Sequence, residues 1–236
     1  MSAHVEEALA AIRQAVEAGP RPVFSTSMGV EDQVLAHLIF SNRFPVEVFT
    51  LDTGRLHPET HQLIADSELF FRRRIRVLSP EREAVESYVQ INGINGFYES
   101  LTQRKQCCDV RKIQVLERAL AGKTAWVTGL RREQSPTREG LGITEFDAQH
   151  NLLKVNPLLN WSTAQVWDYV AEHDVPVSPL HAQGYPSIGC APCTRAIQPG
   201  ESIRAGRWWW ESAEHKECGL HVKQEVSPVQ FVSIGS

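Results

Sequence analysis

The chain has 236 residues, 42% of them hydrophobic, enough for one domain with a proper core or one domain with an appendage. A formal charge of -4 and an isoelectric point near 6.1 exclude a general nucleic-acid or membrane-surface binder, because those classes carry a basic excess or basic runs. No run of about 18 apolar residues occurs, so no helical membrane span is expected.

The opening stretch, MSAHVEEALAAIRQAVEAG, carries Glu6, Glu7, Arg13 and Glu17 where a signal peptide needs its apolar run. It reads as an amphipathic helix, and the expected location is cytoplasmic. Pro22 to Thr26 is a short apolar strand that meets the turn STSMG, followed by a helical pattern from Glu31 to about Phe40. Val46 to Leu51 is the next strand and ends in DTGR, and Pro58 sits at the start of a helix through about Leu69. Ile75 to Leu78 is a third strand, with a helical stretch near Arg82 to Val89 after it. Ile91 to Arg104, rich in Asn and Gly, reads as a loop, and a helix from about Asp109 to Ala121 follows. Ala125 to Thr128 is a further strand with an arginine-rich exit, GLRREQSPTR. Thr144 to Asp147 and Leu152 to Val155 can pair as a hairpin at a sheet edge, and Ser162 N-caps a helix to about His173.

This alternation predicts an α/β fold with a mainly parallel sheet flanked by helices. Residues 1–175 form the core; residues 176–236 form an irregular, proline- and glycine-rich C-terminal segment of the same domain, with an end expected to be mobile.

In an open parallel sheet, ligands gather at the carboxyl ends of the strands. Three loops fall there. The first offers the hydroxyls of Ser25, Thr26 and Ser27, the pliable Gly29 and a helix start, which together suit a phosphate or sulfate, although the loop is neither a Walker loop nor GxGxxG. The second combines Asp52 with Thr53, Gly54 and Arg55, where glycine lets the backbone approach a ring or ribose; Asp52 capping its own turn is the plainer alternative. The third sets Arg131, Arg132 and Arg138 near one strand end, either as an anion clamp or as a solvated loop.

Five cysteines without a secretion signal point to metal binding or catalysis rather than a disulfide framework. Cys107-Cys108 and Cys190-x-x-Cys193 supply two pairs of thiols, which suits an iron-sulfur cluster or a tetrahedral zinc; an adjacent pair is unusual for structural zinc and favours the cluster. CAPC also resembles a thioredoxin redox pair, but it follows a Pro/Gly-rich loop instead of a strand. Cys218, in KECGLH, stands apart, with Lys216 and His221 placed to favour its thiolate. Trp208 to Trp210 most simply pack the late segment onto the core.

Together these stretches resemble the assimilatory sulfonucleotide reductases, within them the iron-sulfur adenylylsulfate (APS) reductases. The likeness runs over nearly the whole chain, from STSMGVED through LDTGRLHPET, CCDVRK, TGLRREQSPTR, KVNPL and YPSIGCAPCTR to GESIRAGRWWWE and KECGLH. It implies an adenine-nucleotide α-hydrolase-like core with a modified pyrophosphate loop (PP-loop). It also implies reduction of an activated sulfate to sulfite and AMP with thioredoxin, or a glutaredoxin-like reductant.

By the same likeness, Ser25, Thr26, Ser27 and Gly29 form the modified loop, Leu51, Thr53, Gly54 and Arg55 contact adenosine, and Gly129 and Arg131 belong to the arginine loop. Lys112, Arg204 and Arg207 hold the phosphosulfate, with His221 close by. Cys107, Cys108, Cys190 and Cys193 ligate a [4Fe-4S] cluster, and Cys218 is the nucleophile. Competing readings are a 3'-phosphoadenylylsulfate (PAPS) or dual-specificity reductase, an ATP-dependent adenylating or tRNA-thiolating enzyme on the same core, and a zinc-stabilised nucleotide-binding module. Both monomer and homo-oligomer remain open.

Overall fold

The computed structural model describes residues 2–134, 138 and 140–212. Helix α1 (Ala3–Glu17) leads into β1 (Pro22–Thr26), α2 (Val30–Ser41), β2 (Glu47–Leu51), α3 (Pro58–Phe71), β3 (Arg76–Leu78) and α4 (Arg82–Asn92). Then come α5 (Leu101–Cys108), a π turn (Asp109–Ile113), α6 (Gln114–Leu120), β4 (Ala125–Val127), β5 (Thr144–Asp147), β6 (Leu152–Val155) and α7 (Thr163–His173). The six strands lie in the order β3-β2-β1-β4-β6-β5, all parallel except β5, which runs antiparallel at one edge as the expected hairpin partner of β6. Among the described residues no helix is long and apolar enough to cross a membrane.

Both faces of the sheet are buried because successive strand residues point to opposite sides. Phe24, Val48, Ala125 and Val127 join the core beneath α1, α2 and α7. Val23, Phe49 and Trp126 alternate with them and meet Leu116, Ala119 and Leu120 of α6. The N-cap expected at Ser162 is a full capping box: its hydroxyl accepts from the backbone of Gln165, whose side chain reaches back.

The stretch from Ile91 to Arg104 departs from the loop expected of it. Helix α4 continues to Asn92, a short 3-10 turn covers Gly96–Tyr98, and Ser100 N-caps a helix that starts at Leu101. The signal was present in SLTQ: the Ser100 hydroxyl accepts from the Gln103 N–H at 3.2 Å, an N-terminal cap outweighed by the Asn/Gly content just before it. The helix expected from Asp109 therefore begins at Leu101 and runs through the π turn into α6.

Residues 176–212 are irregular, as their composition requires, but they are tied to the core. Arg195 and Gly206 lie side by side through Arg195 N–H donating to the Gly206 carbonyl at 3.0 Å, an approach that a side chain at position 206 would block. Trp208 N–H donates to the Cys193 carbonyl at 3.0 Å, folding the tryptophan run back over the CAPC turn. The expectation of a mobile end falls on residues 213–236, outside the described residues.

Candidate functional site

The strand order reverses between β1 and β4, because the chain builds outward from β1 on one side before returning to its other side. A crevice at the carboxyl ends of such a pair is where an open α/β sheet binds ligands. A cavity of about 570 Å3 occupies that position, reached by all three strand-end loops and closed over by the segment around Arg204 and Arg207.

The loop after β1 uses most of its hydroxyl chemistry on itself. Ser25 Oγ accepts from the Trp126 indole N–H at 2.8 Å, and Thr26 Oγ1 accepts from the Met28 N–H at 3.0 Å. The backbone N–H and the hydroxyl of Ser27 both donate to Asp32, at 2.6 and 2.7 Å. Met28 adopts a left-handed φ of 62°, which turns the chain sharply into Gly29 and the first residues of α2. The anion-binding capacity of this turn therefore rests on the start of α2, where backbone N–H groups and the helix dipole face the cavity.

After β2, Leu51 and Thr53 line the cavity, whereas Asp52 and Arg55 turn elsewhere. Asp52 accepts from the Gly54 N–H at 2.9 Å and meets His61 at 3.2 Å, the turn-capping role named as its alternative. Gly54, at φ 69°, packs against Arg111, which donates to the Thr53 carbonyl at 2.7 Å. Arg55 points away from the nucleotide-sized cavity, reaching the Asn95 side chain at 3.2 Å and lying 5.2 Å from the centre of the Phe97 ring.

Arg131 lines the cavity but is no clamp in this geometry. Its five N–H donors are spent on Glu31 (3.0 and 2.9 Å), Glu133 (3.1 Å), the Trp161 carbonyl (3.1 Å) and Thr163 (3.1 Å), with the side chain 4% exposed. It ties the loop after β4 to α2 and α7. The sequence cannot distinguish a buried arginine saturated by two carboxylates from one aimed at a ligand. Arg138 and Gly129 also line the cavity, while Arg132 donates to the Leu141 carbonyl at 3.2 Å.

A second, smaller cavity adjoins the first. Cys107 and Cys108 line it from the end of α5, and Cys190 and Cys193 from the CAPC turn, so two pairs more than eighty residues apart in sequence share one enclosure. Burial pushes the Cys193 thiol up to about 12, with Cys190 adding to the rise. Burial likewise raises Cys107, partly offset by the Arg111 guanidinium beside it. Thr53 Oγ1 lies 3.3 Å from Cys190 Sγ, and the Ala191 N–H donates to the Arg55 carbonyl at 2.8 Å. The cavity's cationic lining is Arg55, Arg104, Arg111, Lys112 and Arg207.

Lys112, Arg207 and Trp208 line both cavities and form the wall between them. Gly189 makes room for this: a Cβ there would stand 2.4 Å from an Arg207 guanidinium nitrogen. Trp208 is 1% exposed and flanked by Arg104 and Arg207, at 4.8 and 4.7 Å from its ring centre. Arg104 in turn makes a bidentate ion pair with Glu211, both contacts 2.8 Å, in which the two side chains are 1% and 7% exposed. Sequence reasoning missed Arg104, Arg111 and Glu211, because nothing in a charged residue's place in a loop, a helix or an irregular stretch shows that it will be buried. Cys218 and His221 lie outside the described residues.

Residues 21–196 match the family model described as the phosphoadenosine phosphosulfate reductase domain. A relative from Allochromatium vinosum, named adenosine 5'-phosphosulfate reductase, is 55% identical over 208 residues, covering 88% of this chain and 81% of its own. A protein of the same name from Agrobacterium fabrum is 51% identical over 216 residues, 91% of this chain and 83% of its own. Among solved structures, the phosphoadenylyl-sulfate reductase from Candida auris, in a phosphate complex, matches with a TM-score of 0.69 at 25% identity, over 80% of this chain and 90% of that one.

Proposed function

The chain belongs to the phosphoadenosine phosphosulfate reductase domain family, and from that premise we propose that it reduces adenylylsulfate to sulfite and AMP in cytoplasmic sulfate assimilation. Reduced thioredoxin, or a glutaredoxin-like protein, is the electron donor. The observation that carries the reading is the wall of Lys112, Arg207 and Trp208 between a nucleotide-sized cavity and an enclosure lined by four thiols.

The donor set fits a [4Fe-4S] cluster better than a single zinc. The two cysteine pairs line one enclosure, and an adjacent pair such as Cys107-Cys108 is an unusual pattern for structural zinc. The cationic lining suits the negative charge of a cluster held by four thiolates. When bound, the cluster would supply local charge to Lys112, and no electron-transfer step is assigned to it.

The chemistry of the site is nucleophilic. The Cys218 thiolate attacks the sulfonyl sulfur, the bond from that sulfur to the phosphate oxygen breaks, and AMP leaves with the electron pair. Lys112, Arg204 and Arg207 offset the charge repulsion between thiolate and phosphosulfate and hold the sulfur in line. A donor thiolate then attacks the sulfur of the Cys218 thiosulfonate and releases sulfite. The donor's second thiol frees Cys218 and leaves the donor as a disulfide, so two electrons pass from donor to sulfur.

Sulfite release from adenylylsulfate and from its 3'-phosphorylated form, measured side by side, tests the substrate. Preference for the phosphorylated form would favour the rival reductase reading. Iron and acid-labile sulfide in anaerobically purified protein test the cluster; zinc without sulfide would overturn it. Lys112→Ala is expected to slow thiosulfonate formation in a single turnover by about ten- to a hundredfold, the worth of one charge-assisted hydrogen bond, with iron content unchanged. An unchanged rate would remove Lys112 from the phosphosulfate site. Gly189→Ala is expected to displace the buried Arg207 side chain from its place on Trp208, weakening nucleotide affinity by about tenfold with some loss of stability; calorimetric titration reads the first and thermal melting the second.

A further inference from the structure

Two carboxylates line the nucleotide cavity, Glu31, which is paired with Arg131, and Asp32. It lines the cavity from the first turn of α2 and is 7% exposed. Among the described residues it accepts hydrogen bonds from Ser27 alone, the N–H at 2.6 Å and the hydroxyl at 2.7 Å, and no cation of the described residues pairs with it. The adjacent Glu31 takes the Arg131 guanidinium for itself. From the loop after β4, Gly129 presents only backbone: a Cβ there would stand 2.0 Å from Asp32 Oδ1, so the carboxyl is seated in a notch that only glycine leaves open. A buried carboxyl without a cation and next to a second carboxylate resists ionisation, and burial raises this one to about 7, with Ser27 lowering it and Glu31 adding to the rise.

We propose that Asp32 couples substrate binding to proton uptake: its carboxyl becomes protonated as the doubly anionic phosphosulfate enters the cavity, which relieves the repulsion and loosens its hold on the Ser27 turn. The inference rests on the reading of this cavity as the adenylylsulfate site. The sign follows from linkage. Below about pH 7 the carboxyl is neutral with and without ligand, and binding takes up no proton there. Above it the free protein holds a carboxylate and the complex a carboxylic acid, so one proton enters with the ligand. Affinity is therefore greatest on the acid side and falls by up to about tenfold per pH unit on the alkaline side. The other titratable and charged groups around the cavity are Glu31, Lys112, Arg131, Arg138, His181, Arg204 and Arg207. Of these, His181 is held below its usual value by burial, and its Nδ1–H donates to the Tyr185 carbonyl at 2.9 Å.

The test is calorimetric titration of adenylylsulfate into the Cys218→Ser protein, which prevents turnover, in two buffers of different ionisation enthalpy at pH 6 and pH 8. Adenylylsulfate is the proper probe because its charge is constant over this range, whereas AMP has an ionisation near pH 6 of its own. The expected result is uptake of close to one proton at pH 8 and much less at pH 6, with the pH 8 uptake lost on the further substitution Asp32→Asn. Binding without buffer dependence at pH 8, or the same uptake after Asp32→Asn, would overturn the inference and leave the substrate reading intact. Absence of any binding would overturn both. If Asp32→Asn does not fold, a carbon-detected titration of 13C-labelled aspartate side chains reads the same carboxyl in the unsubstituted protein. An Asp32 resonance that shifts to the protonated position on adding adenylylsulfate supports the coupling, and one that does not move overturns it.

Discussion

Sulfite release is expected to fall by on the order of 10^4-fold or more when Cys218 is replaced by serine, because the proposed route has no second nucleophile to take over. The other four cysteines line one buried cavity and are the proposed cluster ligands, so none of them is free to act as the nucleophile. A serine hydroxyl is too weak a nucleophile to replace the thiolate without a base beside it. Iron content should stay as it was, since Cys218 is not among the four proposed cluster ligands, and affinity for adenylylsulfate should change little because serine is nearly the same size as cysteine. Mass spectrometry after a single turnover reads the intermediate directly: a sulfonate adduct on Cys218 before the reductant is added and none in the serine variant. An adduct on another cysteine, or activity within tenfold of the unsubstituted protein, would sink the assignment.

The second large effect is expected at Arg104. Removing it by Arg104→Ala leaves the Glu211 carboxylate, 7% exposed, without its bidentate partner, and takes away one of the two cations that flank Trp208. Breaking a buried pair from one side costs about 3–5 kcal/mol. The loss should be local first, since Glu211 is the last tie before the undescribed end and Trp208 closes over the CAPC turn. Hydrogen exchange at residues 193–211 and the rate of iron release should both rise well before the sheet melts. Replacing both partners, Arg104→Met with Glu211→Leu, should recover most of the stability, because a well-packed apolar pair carries no desolvation cost. If the single substitution leaves exchange and iron release unchanged, the pair is not what holds the segment down.

Much of this molecule is legible in its sequence, and most of what is not concerns the direction of polar side chains. The strands were legible because Pro22–Thr26 and Glu47–Leu51 are buried on both faces and carry continuous apolar or β-branched runs between turn residues. The three strand-end loops and the two cysteine pairs followed from position and spacing. What could not be read is where polar side chains point. Arg55, Arg131 and Ser27 were all expected at a ligand; Arg55 turns to the INGING loop, Arg131 is saturated within the core, and Ser27 is committed to Asp32. Each is a choice between an internal partner and an external one, decided by residues 30 to 100 positions away or by a single turn of backbone. The start of α5 failed differently: local Asn/Gly content outvoted a cap that was written in the same few residues.

The π turn at Asp109–Ile113 constrains how this stretch can vary in descent. A π turn holds one residue more than the α-helical turn it replaces, and each residue of an α-helix rotates the chain by about 100°. Loss of a single residue between Cys108 and Lys112 would keep the segment helical, keep both cysteines and keep the lysine, and still swing one relative to the other by that angle. Lys112 would leave the wall between the two cavities with its identity intact. In homologous chains, then, a one-residue gap at this point is a graver change than many substitutions. The spacing there is as much a part of the inheritance as the residues that bracket it.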